Sequence, residues 1–377
     1  MLAGIYIHIP FCKKACFYCD FHFSVSFKQK DKIVKAIKQE ILLRKDFINE
    51  GEIIESIYFG GGTPSVLSES ELQGIIKVVY KTFSVSSNAE VTLECNPDDL
   101  SLQYLYDLKK SGINRLSIGV QSFNDEHLTW MNRSHSKDQS FSAIENAAKV
   151  GFSDITIDLI YGLPQLSIQE WTQTVIRALE LPINHLSAYS LTLEENTPYT
   201  KLVSQKKYKK PDDDLASQHF KILVDRINEK GWNHYEVSSF CKDKNYSRHN
   251  TSYWQNKKYL GIGPSAHGFD GDNRFWNVSS NAKYLDLIDT GNVTYEMENL
   301  SQRDKLNETI LTGLRTKWGI NLASISSLYG YDIEALFSNE LEQWMNKNWI
   351  VKDKDNLRLN SEGFLFADFI ASELFLL

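Results

Sequence analysis

Short apolar runs alternate with amphipathic segments through the first half of the chain, and this alternation constrains the fold most strongly. Because parallel neighbours need a crossover between them, successive βα units imply a parallel sheet and an α/β fold class. The pattern fits an open doubly wound sheet or part of a TIM-like barrel, and both place chemistry at the carboxyl ends of the strands. Strands are predicted at 4–9, 53–59, 89–95, 114–120, 154–161 and 184–191, with helices following the first five.

The second half of the chain has a different character. Residues 194–211 are polar and predict a loop or lid, a helix is expected at 212–230, and 232–277 is aromatic and irregular. Beyond residue 301, three helices and a hairpin are typical of a small winged-helix-like appendage. The expected domains are a core at 1–200, a region packed on that core at 201–300, and a C-terminal helical domain at 301–377.

Composition excludes several classes of function. The 377 residues include 41 Lys and Arg against 48 Asp and Glu, a net charge of -7, which argues against a broad nucleic-acid surface. No apolar run reaches the ~18 residues of a transmembrane segment. The first ten residues lack the basic start and cleavage site of a signal peptide. We therefore expect a cytoplasmic protein without nucleic-acid partners.

Three of the five cysteines lie within eight residues, as Cys12-x3-Cys16-x2-Cys19 directly after the first strand. Three thiolates can hold three irons of a [4Fe-4S] cluster and leave the fourth iron open. The amino and carboxylate groups of S-adenosylmethionine (SAM) can chelate such an iron. A zinc site completed by His8 or His22 is the alternative. Cys95 and Cys241 are expected to be buried core residues.

Polar residues interrupt the later strands near their carboxyl ends, where a sheet core favours Val or Ile. They are Glu94, Gln121 and Asp158. Each alone fits a satisfied loop amide or salt bridge, but three together predict a ligand site. The run Gly60-Gly61-Gly62-Thr63 follows the second strand and permits close backbone approach to a ligand, although a simple turn explains it too.

His249-Asn-Thr-Ser-Tyr-Trp254 lies in the aromatic middle region. A neutral imidazole is a common heme-iron ligand, and Tyr or Trp can pack on a porphyrin. Ordinary packing explains a histidine beside aromatic residues equally well. His267 could be a second iron ligand or a turn histidine that bonds the backbone.

The segment from Tyr6 to Phe21 around the three cysteines resembles the radical SAM superfamily, in the branch of the oxygen-independent coproporphyrinogen III oxidase-like family, and the resemblance runs end to end. It implies a partial (β/α)6 TIM-like barrel with the [4Fe-4S] cluster on Cys12, Cys16 and Cys19. The SAM-binding residues it implies are Tyr6, Tyr18, Gly60, Gly61, Gly62, Thr63, Glu94, Gln121, Arg133 and Asp158.

The same resemblance separates two functions within the family. The oxidases carry another cysteine two positions after the third cluster ligand, where this chain has Phe21, and an extension before the first strand, where only residues 1–3 stand. The His-Asn-x-x-Tyr-Trp pattern is associated with the heme chaperones of the family. The resemblance therefore implies a heme chaperone that delivers heme to acceptor proteins, is able to form a homodimer and lacks decarboxylase activity, with the oxidase as the alternative. The implied heme-binding residues are His249, Asn250, Tyr253 and Trp254.

Overall fold

Six βα units form the core of the protein, as the apolar pattern predicts. The computed structural model describes residues 2–49, 51–293 and 295–376. All six strands pair in parallel and in sequence order, which confirms the α/β class. The elements are β1 Leu2–Ile9, α1 Lys30–Leu43, β2 Ile53–Gly61, α2 Glu69–Thr82, β3 Val85–Cys95, α3 Leu102–Lys110, β4 Arg115–Gln121, α4 Asp125–Trp130, α5 Lys137–Val150, β5 Asp154–Tyr161, α6 Ile168–Glu180 and β6 His185–Ser190.

Strand β1 shows how the sheet divides its side chains between two faces. Ile5, Ile7 and Ile9 are fully buried in the hydrophobic core. The alternating Tyr6 and His8 lie on the concave face, because successive side chains of a strand point to opposite sides. Helices α2, α3, α5 and α6 begin at serine caps, and α2, α5 and α6 each have a complete capping box.

The middle region adds strands at both edges of the barrel sheet. The added elements are α7 Pro198–Ser204, α8 Asp213–Glu229, β7 Asn233–Glu236, β8 Ser239–Cys241, α9 Arg248–Trp254, β9 Tyr259–Ile262, β10 His267–Phe269, β11 Asn273–Trp276, α10 Asn281–Asp289 and β12 Glu296–Asn299. Strand β9 pairs in parallel with β1, so the sheet has a seventh parallel strand that the sequence pattern did not predict. The sheet order is β12-β11-β10-β9-β1-β2-β3-β4-β5-β6-β8-β7.

Two expectations for this region are wrong. The segment 194–211 is not a plain loop, because α7 begins there at Pro198, where a proline fits the first helical turn. The segment 232–277 is not irregular but holds five short strands and α9. Strands of three or four residues carry too few alternations for a period to show.

The C-terminal part forms the expected helices and hairpin. Its three strands, β13 Ile320–Asn321, β14 Ile350–Asp353 and β15 Asn356–Leu359, pair antiparallel in the order β13-β15-β14. It contacts the middle region where the backbone N–H of Val237 donates to the carbonyl of Arg315 at 3.0 Å. In the described ranges, no helix has the length and apolar character needed to cross a membrane. The elements are α11 Gln302–Leu314, β13 Ile320–Asn321, α12 Leu322–Tyr329, α13 Ile333–Leu336, α14 Ser338–Asn346, β14 Ile350–Asp353, β15 Asn356–Leu359 and α15 Ala367–Glu373.

Candidate functional site

A cavity of about 420 Å³ opens at the carboxyl ends of the barrel strands. It lies where parallel α/β folds hold their ligands. Eleven of the residues that the sequence assigned to the cluster and SAM line this one cavity. They are Cys12, Cys16, Cys19, Tyr18, Gly61, Gly62, Thr63, Glu94, Gln121, Arg133 and Asp158.

The three cysteines lie on the loop after β1, half-buried and not in disulfides. The loop is tied down by backbone bonds, with the N–H of Cys12 donating to the carbonyl of Ser24 at 3.0 Å and that of Phe17 to Met131 at 3.1 Å. Burial raises the pKa of Cys12 to about 11 and that of Cys19 to about 12. Metal ligands bind as thiolates, so a bound metal must displace these protons.

Polar groups from the segments after β2 and α4 reach the cysteine sulfurs. The Thr63 hydroxyl donates to Cys12 Sγ at 3.3 Å, and Arg133 Nη1 donates to Cys16 Sγ at 3.3 Å. Such hydrogen bonds and positive charge tune iron–sulfur clusters. Arg133 is held in turn by its Nη2, which donates to Asn96 Oδ1 and to the carbonyl of Gly119, each at 2.7 Å.

The glycine segment at the end of β2 has no room for side chains. Gly61 has a φ of +107°, and a Cβ there would lie 2.5 Å from the His8 ring. At Gly62 a Cβ would lie 2.7 Å from the carbonyl oxygen of Phe11. The backbone of this segment therefore packs directly against the cysteine loop, and Thr63 N–H donates to the same Phe11 carbonyl at 2.7 Å.

Two carboxylates face the cavity from β3 and β5. Burial raises the pKa of Glu94 to about 7, although a hydrogen bond from Tyr58 opposes this, and the charge of Asp158 raises it further. Burial also raises the pKa of Asp158 to about 6, against hydrogen bonds from Ser187 and Ser117. Paired acceptors with shifted pKa values in a cleft are typical of a ligand site.

Two of the predicted SAM residues, Tyr6 and Gly60, are not among the residues that line the cavity. They lie next to one that does, since a Cβ on Gly60 would lie 2.9 Å from Tyr6 and 3.1 Å from Glu94 Oε1. The sequence reasoning also missed several lining residues, and the polar end of the sixth predicted strand was the available signal for those near residue 190. The missed residues include Cys95, Asn96, Ser117, Ile160, Tyr189, Ser190, Leu191, Thr192 and Glu194.

The zinc alternative needs His8 or His22 as a ligand, and both rings are hydrogen-bonded to other groups. His8 Nε2 donates to the carbonyl of His22 at 2.9 Å, while its Nδ1 lies 3.3 Å from the Tyr6 hydroxyl. His22 Nε2 lies 2.9 Å from Asn281 Oδ1. Among the residues that the structure describes, no three His, Cys, Asp or Glu side chains converge as ligands of a single ion.

The predicted heme residues lie on α9, and its histidine is enclosed in the barrel. The His249 side chain is only 1% exposed. Its Nδ1 lies 2.8 Å from Ser56 Oγ and its Nε2 lies 2.7 Å from the Tyr253 hydroxyl, so neither ring nitrogen is open to iron. Burial, with Arg115 nearby, lowers the pKa of His249 to about 3, so the ring is neutral. Trp254 instead borders a separate cavity of about 340 Å³ beside the C-terminal part.

Known protein families match both ends of the chain. The radical SAM superfamily matches residues 6–178, and the HemN C-terminal domain matches residues 300–366. In the solved coproporphyrinogen III oxidase HemN of Escherichia coli, the fold is the same, with a TM-score of 0.84 at 24% identity, covering 99% of this chain and 89% of that one. This likeness shows the fold.

Curated relatives match over almost the whole length. The chain is 32% identical to the heme chaperone HemW of Bacillus subtilis over 370 residues, 97% of each chain. It is 33% identical to HemW of Lactococcus lactis over 360 residues, 95% of this chain and 93% of the relative. A mitochondrial radical S-adenosyl methionine domain-containing protein 1 of Danio rerio is 30% identical, over 99% of this chain and 87% of the relative.

Proposed function

The chain belongs to the heme chaperone HemW family, and on this premise we propose that it is itself a heme chaperone that binds heme and transfers it to acceptor proteins. The observation that carries the proposal is the end-to-end match to HemW of Bacillus subtilis, which covers 97% of both chains. We further propose a cytoplasmic location. A homodimer is part of the same proposal, on the family resemblance.

The cavity supports a [4Fe-4S] cluster on Cys12, Cys16 and Cys19. The three half-buried thiols share one cavity, and two of their sulfurs already accept hydrogen bonds from Thr63 and Arg133. Three thiolates leave one iron of a cubane without a protein ligand. When bound, the cluster and SAM supply one-electron chemistry at the SAM sulfonium.

The rest of the cavity offers SAM the groups that it needs. Glu94 presents a carboxylate acceptor for the ribose hydroxyls, and Asp158 presents a second acceptor from β5. The carbonyls of Gly61 and Gly62 can accept from the methionyl ammonium, because the absence of Cβ atoms lets a ligand approach the backbone closely. Arg133 and Gln121, which line the same cavity, carry N–H donors. Tyr18 lies with them at the cysteine loop, 3.5 Å from Arg133 Nη1.

Coproporphyrinogen III oxidase is the competing function, because the HemN fold is shared. Phe21 favours the chaperone. The residue is 66% exposed and lines the SAM cavity, at the position where the resemblance expects a cysteine in the oxidases.

The test uses the full-length protein with its cluster reconstituted anaerobically. Hemin is titrated into it and followed by the Soret band, and coproporphyrinogen III is supplied separately with SAM and a reductant. The proposal expects saturable heme binding and no decarboxylated product. Formation of protoporphyrinogen would establish the oxidase, and a titration without saturation would refute the chaperone.

A further inference from the structure

Helix α9 packs against Tyr58, next to the SAM cavity, and hydrogen bonds to β3 fix the helix to the sheet. The buried carboxylate of Glu90 in β3 accepts the backbone N–H groups of Arg248 and His249, at 2.8 and 3.0 Å. Ser247 caps the same helix by accepting from the N–H of Asn250. These bonds direct the first turn of α9, and His249 with it, into the barrel interior.

Inside the barrel, the His249 ring is held in one plane. Ser56 Oγ on β2 lies 2.8 Å from Nδ1, and the Tyr253 hydroxyl lies 2.7 Å from Nε2. A neutral imidazole donates at one nitrogen and accepts at the other, and a hydroxyl can match either, so both contacts are satisfied. Gly4 leaves the necessary room, because a Cβ there would lie 3.2 Å from Nδ1.

The fixed imidazole supports the ring above it. Tyr58 stacks on His249 with centroids 4.9 Å apart and an interplanar angle of 21°. The Tyr58 hydroxyl then donates to Glu94 Oε1 at 2.8 Å. A single aromatic ring therefore separates His249 from the carboxylate that faces SAM.

We propose that His249 is a positioning residue of the SAM cavity, which holds Tyr58 against Glu94, and that the heme iron takes its protein ligand from another residue. The inference deepens the proposed function, since it rests on SAM as the ligand of this cavity. It also accounts for an intact His-Asn-x-x-Tyr-Trp segment whose histidine faces the barrel and not the surface.

The experiment compares two buried histidines that each contact a tyrosine. His249→Phe keeps a flat ring under Tyr58 but removes both nitrogens. His185→Phe is the matched control, because His185 is fully buried with Nε2 2.8 Å from the Tyr235 hydroxyl and does not line the cavity. SAM affinity of the reconstituted proteins is expected to fall about fivefold to tenfold in His249→Phe and to stay near wild type in the control.

Two further readouts separate positioning from a general structural role. Tyr58→Phe removes the bond that lowers the pKa of Glu94, so the pH at which SAM affinity is half lost should rise, and His249→Phe should raise it in the same direction. The double variant should lose little more than either single one, because the two residues act in series. His249→Gln serves as the second variant if the phenylalanine variant does not fold.

Heme provides the opposite readout. Titration of His249→Phe with hemin is expected to reproduce the wild-type affinity and Soret position. Loss or displacement of the Soret band in this variant but not in His185→Phe would overturn the inference while supporting the proposed function. Unchanged SAM affinity and pH profile would also overturn it. A wild-type protein that binds no SAM after reconstitution would refute both.

Discussion

Arg133 donates from Nη1 to the sulfur of Cys16 at 3.3 Å, which places a guanidinium directly beside the proposed cluster. Arg133 follows α4, and its side chain lines the cavity and contacts the loop after β1. Arg133 Nη2 donates to Asn96 Oδ1 and to the carbonyl of Gly119, and these two hydrogen bonds keep the guanidinium beside the sulfur.

Replacing this arginine should lower the reduction potential of the cluster. A positive charge and an N–H donor at a cluster sulfur stabilise the reduced, more negative state. Arg133→Met is expected to lower the potential by on the order of tens of millivolts. The measurement is an anaerobic redox titration followed by electron paramagnetic resonance. Arg177→Met is the control, since that exposed arginine lies over Phe141 and outside the cavity. An equal shift in both variants would contradict the assignment.

The cysteines should divide into two groups when each is replaced by serine. Cys12→Ser, Cys16→Ser and Cys19→Ser are expected to lose bound iron and the visible absorbance of the cluster after reconstitution, because each removes one thiolate ligand. Cys241→Ser replaces a buried cysteine that does not line the cavity and should retain iron. Cys95→Ser should retain it too, because Cys95 lines the cavity but is outside the proposed ligand set. Iron per protein is the measurement. Full iron content in any of the first three would remove that residue from the ligand set.

Gly61 should tolerate alanine much less well than Gly51. Both have positive φ, +107° and +87°, but a Cβ at Gly61 meets the His8 ring at 2.5 Å while none would be met at Gly51. Gly51→Ala is expected to cost about 1 kcal/mol of unfolding free energy through backbone strain alone. Gly61→Ala should cost about 2–4 kcal/mol and weaken SAM binding. Urea unfolding decides the comparison, and equal losses would show that the close contact has no effect.

SAM binding should weaken on acidification through the range in which the two cavity carboxylates protonate. Burial raises the pKa of Glu94 to about 7 and that of Asp158 to about 6, and the protonated forms are poorer acceptors. Affinity is therefore expected to be constant above about pH 8 and to fall between about pH 7 and 5. Equilibrium binding across this range is the measurement. Glu94→Gln should lose the upper part of the dependence, and an unchanged profile in that variant would contradict its role.

The same shift predicts an effect on stability without SAM. A carboxyl group whose pKa is higher in the folded state binds more protons when folded, so the free energy of unfolding falls as pH rises from about 4.5 to about 7. Glu94→Gln should therefore stabilise the SAM-free protein more at pH 8 than at pH 5. The difference between the two pH values should be on the order of 1–2 kcal/mol. Thermal unfolding at the two pH values measures it. Equal stabilisation at both would refute the shift.

The sequence predicted the core because its strands are long and apolar, and β5 occupies the predicted range 154–161. The polar ends of β3, β4 and β5 also marked the cavity correctly, since Glu94, Gln121 and Asp158 all line it. Strand β9 was missed because its four residues include Gly261 and show no alternation.

The orientation of His249 depends on contacts that are distant in sequence, and residue types alone could not reveal it. Its partner Ser56 lies 193 positions away, and Glu90, which holds its backbone, lies 159 positions away. Only the packed barrel shows that this ring lies inside the barrel and stacks on Tyr58.

The most direct test of the chaperone account is heme transfer. The reconstituted protein is loaded with one equivalent of hemin, freed of excess heme by gel filtration, and mixed with apomyoglobin as a heme acceptor. The account predicts that heme elutes with the protein and that the Soret band of myoglobin then forms. Heme that does not elute with the protein, or that never leaves it, would contradict the account.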